Sequence, residues 1–430
     1  MAIFSPKVLR ALTSISWIRS LPVFRSALKN PELLCHLSDA SWRGPHEPLK
    51  LMQYVMGSAR KPGRDIIDLS LGAPRFGEDW AKVVDQCKNE EIVHAGDLDY
   101  PTPQGLTRLR EGISQKYLRE KSWTYQPETE ILVCNGANQA LGLIFESFVS
   151  PGDAVVLFDP SYMVYRYKAM ICRADIRWVN STVDESGVLQ FSESELNRAL
   201  SGARIMFMSS PVNPSSAVID PERLQLIRLM ARAKGVLLVM DDVYEDFVRE
   251  EKSRIFNNSL RPVGSEIVIN SFSKSFGAAA LRVGYVLASE SVIQVLRMHM
   301  ISTCPFVNAL GQRVATRFLT GEFEALARPY RQQVLLQGFD GYKALREAKI
   351  SVSFPAGAMY LWVDGRTLGV KDGNIAAKHL AEEFGVASMP GSCFGPSSLH
   401  FLRLSSGGPK DKFNRGIQAL IEMRERHVRI

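Results

Sequence analysis

The sequence predicts an α/β fold with a mainly parallel β-sheet flanked by helices. Three observations predict it. Apolar runs of strand length recur from Ile131 to Asn270 and alternate with helical patterns. The longest of them, around Val236–Met240, is far short of the roughly 18 residues a membrane span needs. Polar residues suited to hold a ligand follow the strands, at the ends where such sheets bind ligands.

The chain has 430 residues, 46% hydrophobic and 23% charged, which fits an ordinary soluble globular protein of roughly two to three domains. The formal net charge of +7 is uneven: residues 1–60 hold eight basic and three acidic residues, so the other 370 carry only +2. A nearly neutral body offers no basic face for nucleic acid. Cys35, Cys87, Cys134, Cys172, Cys304 and Cys393 are scattered without a CxxC pair, which argues against a disulfide framework and against a metal centre. Residues 1–31 contain five basic residues and no acid. That composition fits a mitochondrial transit peptide; an additional N-terminal helix or an early start codon fits it too. The expected location is the cytoplasm, or the mitochondrial matrix if residues 1–31 are a transit peptide.

Taken in order, Asp65–Ser70 reads as a short strand ending in the loop Gly72-Ala73-Pro74-Arg75-Phe76. Arg75 is either a solvated loop charge or a cation favouring an acidic substrate. Tyr100 precedes a Pro- and Gly-punctuated turn and the helical pattern Leu106–Tyr117. Strand Ile131–Cys134 leads through Asn135-Gly136-Ala137-Asn138 into a helix, an arrangement whose free N–H groups attract phosphate. Strand Ala154–Phe158 ends near Tyr162 and Tyr165, aromatics able to stack on a flat ring or simply to pack. Strand Ile205–Met208 leads to Asn213-Pro214, and strand Val236–Met240 to Asp241-Asp242-Val243-Tyr244. A carboxylate at the end of a buried strand needs a partner, either a cationic ligand or the N-terminus of a following helix.

Strand Ile267–Asn270 enters the block from Ser271 to Gly284, in which small and hydroxylic residues surround Lys274, and Arg282 lies eight positions on. A lysine in such surroundings loses solvation and becomes nucleophilic. The serines and the arginine suit a phosphate. Ser291–Ala348 reads as mostly helical, and Pro355–Trp362 as a return to strand. Arg403, flanked by Phe401, Leu402 and Leu404, is a buried cation that calls for an anion: a carboxylate substrate or a structural salt bridge.

These blocks resemble, in order, those of the class I/II pyridoxal-phosphate-dependent aminotransferases of fold type I, over roughly residues 60–425. The resemblance implies an N-terminal extension and arm (1–60), a large cofactor domain (61–320, its first part leading in from the small domain) and a smaller α+β C-terminal domain (321–430). It implies pyridoxal 5′-phosphate held as a Schiff base on Lys274, and an amino group exchanged between an L-amino acid and a 2-oxo acid. Ser271, Ser273, Arg282, Gly136, Ala137 and Asn138 correspond to the family's phosphate site. Tyr162 corresponds to the residue over the pyridine ring, Asp241 to the partner of its nitrogen, and Asn213 and Tyr244 to the contacts with its phenolic oxygen. Gly72 falls in the loop over the substrate, and Arg403 takes the α-carboxylate. Tyr100 implies a homodimer with shared sites, since in the family that tyrosine reaches the neighbouring subunit's cofactor. Ser216 stands where the family's Asn-Pro-x-Gly motif has glycine, and Ala280 where glycine is common. Such departures leave open a lyase, cyclase or oxidase on the same scaffold.

Overall fold

The computed structural model describes residues 46–60, 65–90, 100–249 and 261–428. The segment read as a transit peptide, 1–31, lies outside the described residues. Strand β1 (Ile67–Asp68) precedes the central sheet. That sheet contains β2 (Ile131–Cys134), β3 (Ala154–Asp159), β4 (Asp175–Val183), β5 (Leu189–Phe191), β6 (Ile205–Ser209), β7 (Leu237–Asp241), β8 (Glu266–Ser271) and β9 (Gly284–Leu287), in the order β2-β9-β8-β7-β6-β3-β4-β5. The inner pairs β4–β3, β3–β6, β6–β7 and β7–β8 are parallel, whereas β9 runs antiparallel to both neighbours. Strands covered on both faces lose the polar alternation of a half-wet sheet. Accordingly every residue of β3, β6 and β8 is buried, while β4, near the edge, is partly exposed.

A second core surrounds β10 (Tyr360–Asp364), β11 (Val386–Ala387), β12 (Met389–Pro390) and β13 (Phe401–Ser405). β13 lies between β10 and β12, antiparallel to both. β1 pairs with β11, so residues 67–69 pack with Leu345, Leu402, Phe413 and Leu420 rather than with the large sheet. Helix His46–Ala59 closes the same unit, placing Val55 and Ala59 on Ala377, Ala381 and Ala387.

The helical stretch expected from Ser291 to Ala348 resolves into helices Glu290–Thr303, Ala309–Phe318 and Gly321–Glu347. The strand expected from Pro355 begins only at Tyr360. Ala358 sits at φ 50°, in a left-handed turn that cannot continue an extended ladder.

Candidate active site

The parallel strands point their C-terminal ends at one edge of the sheet, and the chemistry collects there. β7 ends on Asp241, and β8 ends on Ser271 with Lys274 in the short helix Phe272–Ser275 that follows. Antiparallel β9 starts at that same edge, so Arg282, just before Gly284, returns to it. β2 runs into Gly136, the N-cap of helix Ala137–Phe148, where no side chain caps the helix. Gln139 N and Ala140 N bond to Gly136 O, which leaves the leading N–H groups of Ala137 and Asn138 for an anion. The close approach of this turn to β9 demands glycine: a Cβ on Gly284 would lie 2.8 Å from Ala137 N.

Between the two domains lies a cavity of about 500 Å³. Of the residues singled out from the sequence, Gly72, Ala137, Asn138, Tyr162, Asn213, Asp241, Tyr244, Ser271, Ser273, Lys274, Arg282 and Arg403 line it. Gly136 stands just behind Arg282: a Cβ there would press on the guanidinium at 2.5 Å. Tyr100 is elsewhere, 84% exposed and stacked on Phe306 at 4.7 Å. Arg75 is exposed and lies outside the wall of this cavity.

Lys274 is part-buried, and its Nζ donates to Gly72 O. Burial, then the positive fields of Arg403 and Arg282, pull its amine down to about 8, with Asp241 opposing. Asp241 is buried and accepts from Tyr165 Oη at 2.7 Å through Oδ2. Its Oδ1 has no hydrogen-bond partner among the described residues. Burial raises its carboxyl to about 6, against that tyrosine hydrogen bond. Asp242 caps no helix among the described residues: it is half-buried beside Lys121 and Glu245, and desolvation raises it to about 7.

Arg403 makes no ion pair with a carboxylate among the described residues. It donates to Asn213 Oδ1 at 2.8 Å and Ser70 O at 2.6 Å, both neutral, while Nε is buried without a partner. Its guanidinium lies over the Tyr360 ring at 4.2 Å.

The sequence assigned no role to Tyr360, and it offered Tyr165 only as an aromatic that stacks or packs. Tyr360 arrives from the smaller domain, and its hydroxyl bonds to that of Tyr244. Ser216 holds it: this buried serine takes φ 59°, the left-handed conformation that glycine adopts freely. Its Oγ donates to Tyr360 O at 2.8 Å and accepts from Tyr360 N at 3.0 Å. The backbone is thus the one a glycine would give, with a side-chain clasp added. Ser216→Ala removes both bonds and is expected to cost about 1–3 kcal/mol in urea unfolding.

Beneath the strand ends, Glu245 accepts from Lys116 Nζ at 2.7 Å, Lys121 Nζ at 2.5 Å and Asn270 Nδ2 at 2.6 Å. Asn270 Oδ1 in turn accepts from Ser271 N at 2.7 Å. This buried network ties the Tyr244 turn to the end of β8.

Residues 64–420 match the family described as aminotransferase class I and II. The chain belongs to this family. The aminotransferase is 27% identical to an aspartate aminotransferase of Thermotoga maritima, over 80% of this chain and 88% of the relative. It is 25% identical to a probable N-acetyl-LL-diaminopimelate aminotransferase of Bacillus subtilis, over 83% and 88%. Its fold matches the crystal structure of the Thermotoga maritima aspartate aminotransferase with a TM-score of 0.78 (24% identity, 90% of this chain, 99% of that one). It also matches N-succinyldiaminopimelate aminotransferase from Mycobacterium tuberculosis, with a TM-score of 0.78 (25% identity, 87% and 97%). This aminotransferase is therefore an enzyme that moves amino groups between amino acids and 2-oxo acids, on the fold type I α/β architecture.

The family works with pyridoxal 5′-phosphate, and the residues of this aminotransferase fit that group. A buried carboxylate oxygen without a partner suits a protonated ring nitrogen. An uncapped helix N-terminus beside Arg282 suits a phosphate, and an amine lowered to about 8 suits an aldehyde carbon.

Proposed function

We propose that the cavity holds pyridoxal 5′-phosphate on Lys274 and exchanges an amino group between an L-amino acid and a 2-oxo acid. The observation that carries this reading is the orphaned Oδ1 of Asp241, buried in the same cavity as the low-pKa Lys274. Bound there, the cofactor supplies an electron sink conjugated to the substrate's α-carbon. The chain's own residues do the rest.

Asp241 keeps the ring nitrogen protonated through a charge-assisted hydrogen bond. Asn213 gives its Oδ1 to Arg403, so its Nδ2 remains to donate to the phenolic oxygen, beside the Tyr244 hydroxyl. Tyr162 covers the ring. Ser271, Ser273, Arg282 and the N–H groups of Ala137 and Asn138 hold the phosphate. Arg403 takes the α-carboxylate through the Nε edge that the protein leaves unpaired. Lys274 would anchor the cofactor through its amine and would move the proton to and from the substrate's α-carbon. The loop at Gly72 closes over the substrate. A Cβ there would overlap the Tyr360 hydroxyl, so the close fit needs glycine.

We also propose a homodimer in which exposed Tyr100 serves the neighbouring subunit's site. Sedimentation at micromolar concentration is expected to give twice the 48.0 kDa chain mass.

The test is stoichiometric exchange: one oxo acid released per amino acid consumed, and reversal by a second oxo acid. Ammonia release without exchange overturns the reading. The pH dependence of cofactor uptake gives a second check, because only the neutral amine attacks an aldehyde. The uptake rate by the apoenzyme is expected to rise about tenfold per pH unit up to about 8 and then level. An ordinary lysine would continue to rise toward 10.5.

A further inference from the structure

The wall around Arg403 has a chemistry that the proposed exchange does not use. In the ladder between β12 and β13, Met389 stands directly opposite Arg403. Antiparallel partners share a face of the sheet, so this thioether lies beside the guanidinium. Met52 and Met163 pack onto the cluster that contains Met389, Trp362 and Phe394. Met56, one turn after Met52 on helix His46–Ala59, places its Sδ 3.1 Å from Ser70 Oγ, whose proton goes to Asp68 Oδ1 at 2.7 Å. Ser70 O is itself an acceptor of Arg403. Leu71 completes the wall. Four methionines and a leucine from four separate segments thus converge where the substrate's α-carboxylate would dock.

The charged residues of the cavity are placed differently. Among its described lining residues the cations are Lys274, Arg282 and Arg403, and the acid is Asp241. The proposed reading uses all four. Arg75, the cation that the sequence offered for an acidic substrate, lies outside this wall.

We infer that the cavity selects L-amino acids with an apolar side chain (aliphatic, thioether or aromatic) over those with a second carboxylate. This rests on the proposed reading, in which Arg403 takes the α-carboxylate. A side-chain carboxylate turned onto the thioethers would lose its water without gaining a donor. An alkyl or aryl side chain would gain burial there. Methionine walls are adaptable, so such a pocket accepts several apolar shapes rather than one.

The test uses the holoenzyme. Exchange rates are measured for L-leucine, L-methionine and L-phenylalanine against L-aspartate and L-glutamate. The apolar donors are expected to exceed the acidic ones in kcat/KM by about 100-fold or more. Binding is measured separately by calorimetry with unreactive acids: 4-methylpentanoate and 3-phenylpropionate against succinate and glutarate. The apolar acids are expected to bind at least about tenfold tighter. Met52→Arg is expected to narrow the kcat/KM ratio at least about tenfold. Faster exchange with aspartate or glutamate, or tighter succinate binding, overturns the selectivity while leaving the transamination reading intact. An unchanged ratio in Met52→Arg overturns the role given to the methionine wall. Failure of every amino acid to exchange overturns both readings together.

Discussion

Lys274→Ala is expected to lower kcat by about 10⁴-fold or more, since it removes a positioned proton carrier and the cofactor's covalent anchor together. The residue stands alone in this work. Within the cavity the other cations are arginines, which stay protonated and cannot pass a proton. Nor does the lysine serve as a structural ion-pair partner: its Nζ donates to the carbonyl of Gly72. Lys274→Arg keeps the charge and is expected to be equally inactive, which separates charge from nucleophilicity. Single-turnover release of oxo acid, with an absorption spectrum of the bound cofactor, checks both. Activity within tenfold of the parent in either variant would remove Lys274 from the site.

Glu245→Ala is expected to destabilise the fold by about 1–3 kcal/mol, because it removes the carboxylate that Lys116 and Lys121 share, while Lys116 keeps its ion pair with Glu120. Lys116 and Lys121 are held by the same carboxyl, with side-chain exposures of 4% and 13%. Burial opposes the Glu245 charge, but both ammonium groups outweigh it and hold the carboxyl well below the usual range. The pH consequence follows in sign. A depressed carboxyl contributes its full stability above the unfolded value, near 4.5, and loses it as pH falls toward the folded one. The parent should therefore lose stability below about pH 4.5 more steeply than Glu245→Gln, whose amide does not titrate there. Urea unfolding at pH 7 and pH 4 measures both effects. Equal midpoints at pH 7 for parent and Glu245→Ala would mean that the network contributes nothing. The variant should also weaken cofactor retention, since Glu245 steadies Asn270 and through it the Ser271 end of β8.

Lys274, Arg282, Asp241 and Asn213 were legible because each sits within a few residues of a strand end. A buried apolar run announces the strand, and its terminus is where the sheet presents side chains. Tyr360 was illegible for the opposite reason. It lies on β10, in the same small sheet as Arg403 on β13, and its place against Tyr244 depends on how two cores dock. Tyr165 looked like a packing aromatic because its hydroxyl acceptor, Asp241, is 76 positions away. The backbone at Ser216 could not be read either, since serine enters the left-handed region only where partners hold it. Those partners come 144 residues later. The methionine wall is assembled from three distant segments, and a thioether carries no spacing signal of its own. The strand expected at Pro355 started late because a single left-handed residue, Ala358, leaves no mark in an apolar run.

The position of β2 at the sheet edge has a consequence for how the enzyme matures. β2 leads into the turn proposed to receive the phosphate, yet among the described residues its one ladder partner is β9, about 150 residues downstream. Closing so long a loop is slow compared with local pairing. A nascent chain that has emerged through Lys274 and Arg282 but not through Leu287 holds the reactive amine and the arginine without the strand that seats the phosphate turn. On the proposed reading, cofactor capture is expected to await completion of the large sheet, so a loaded chain is expected to be one whose sheet has already closed.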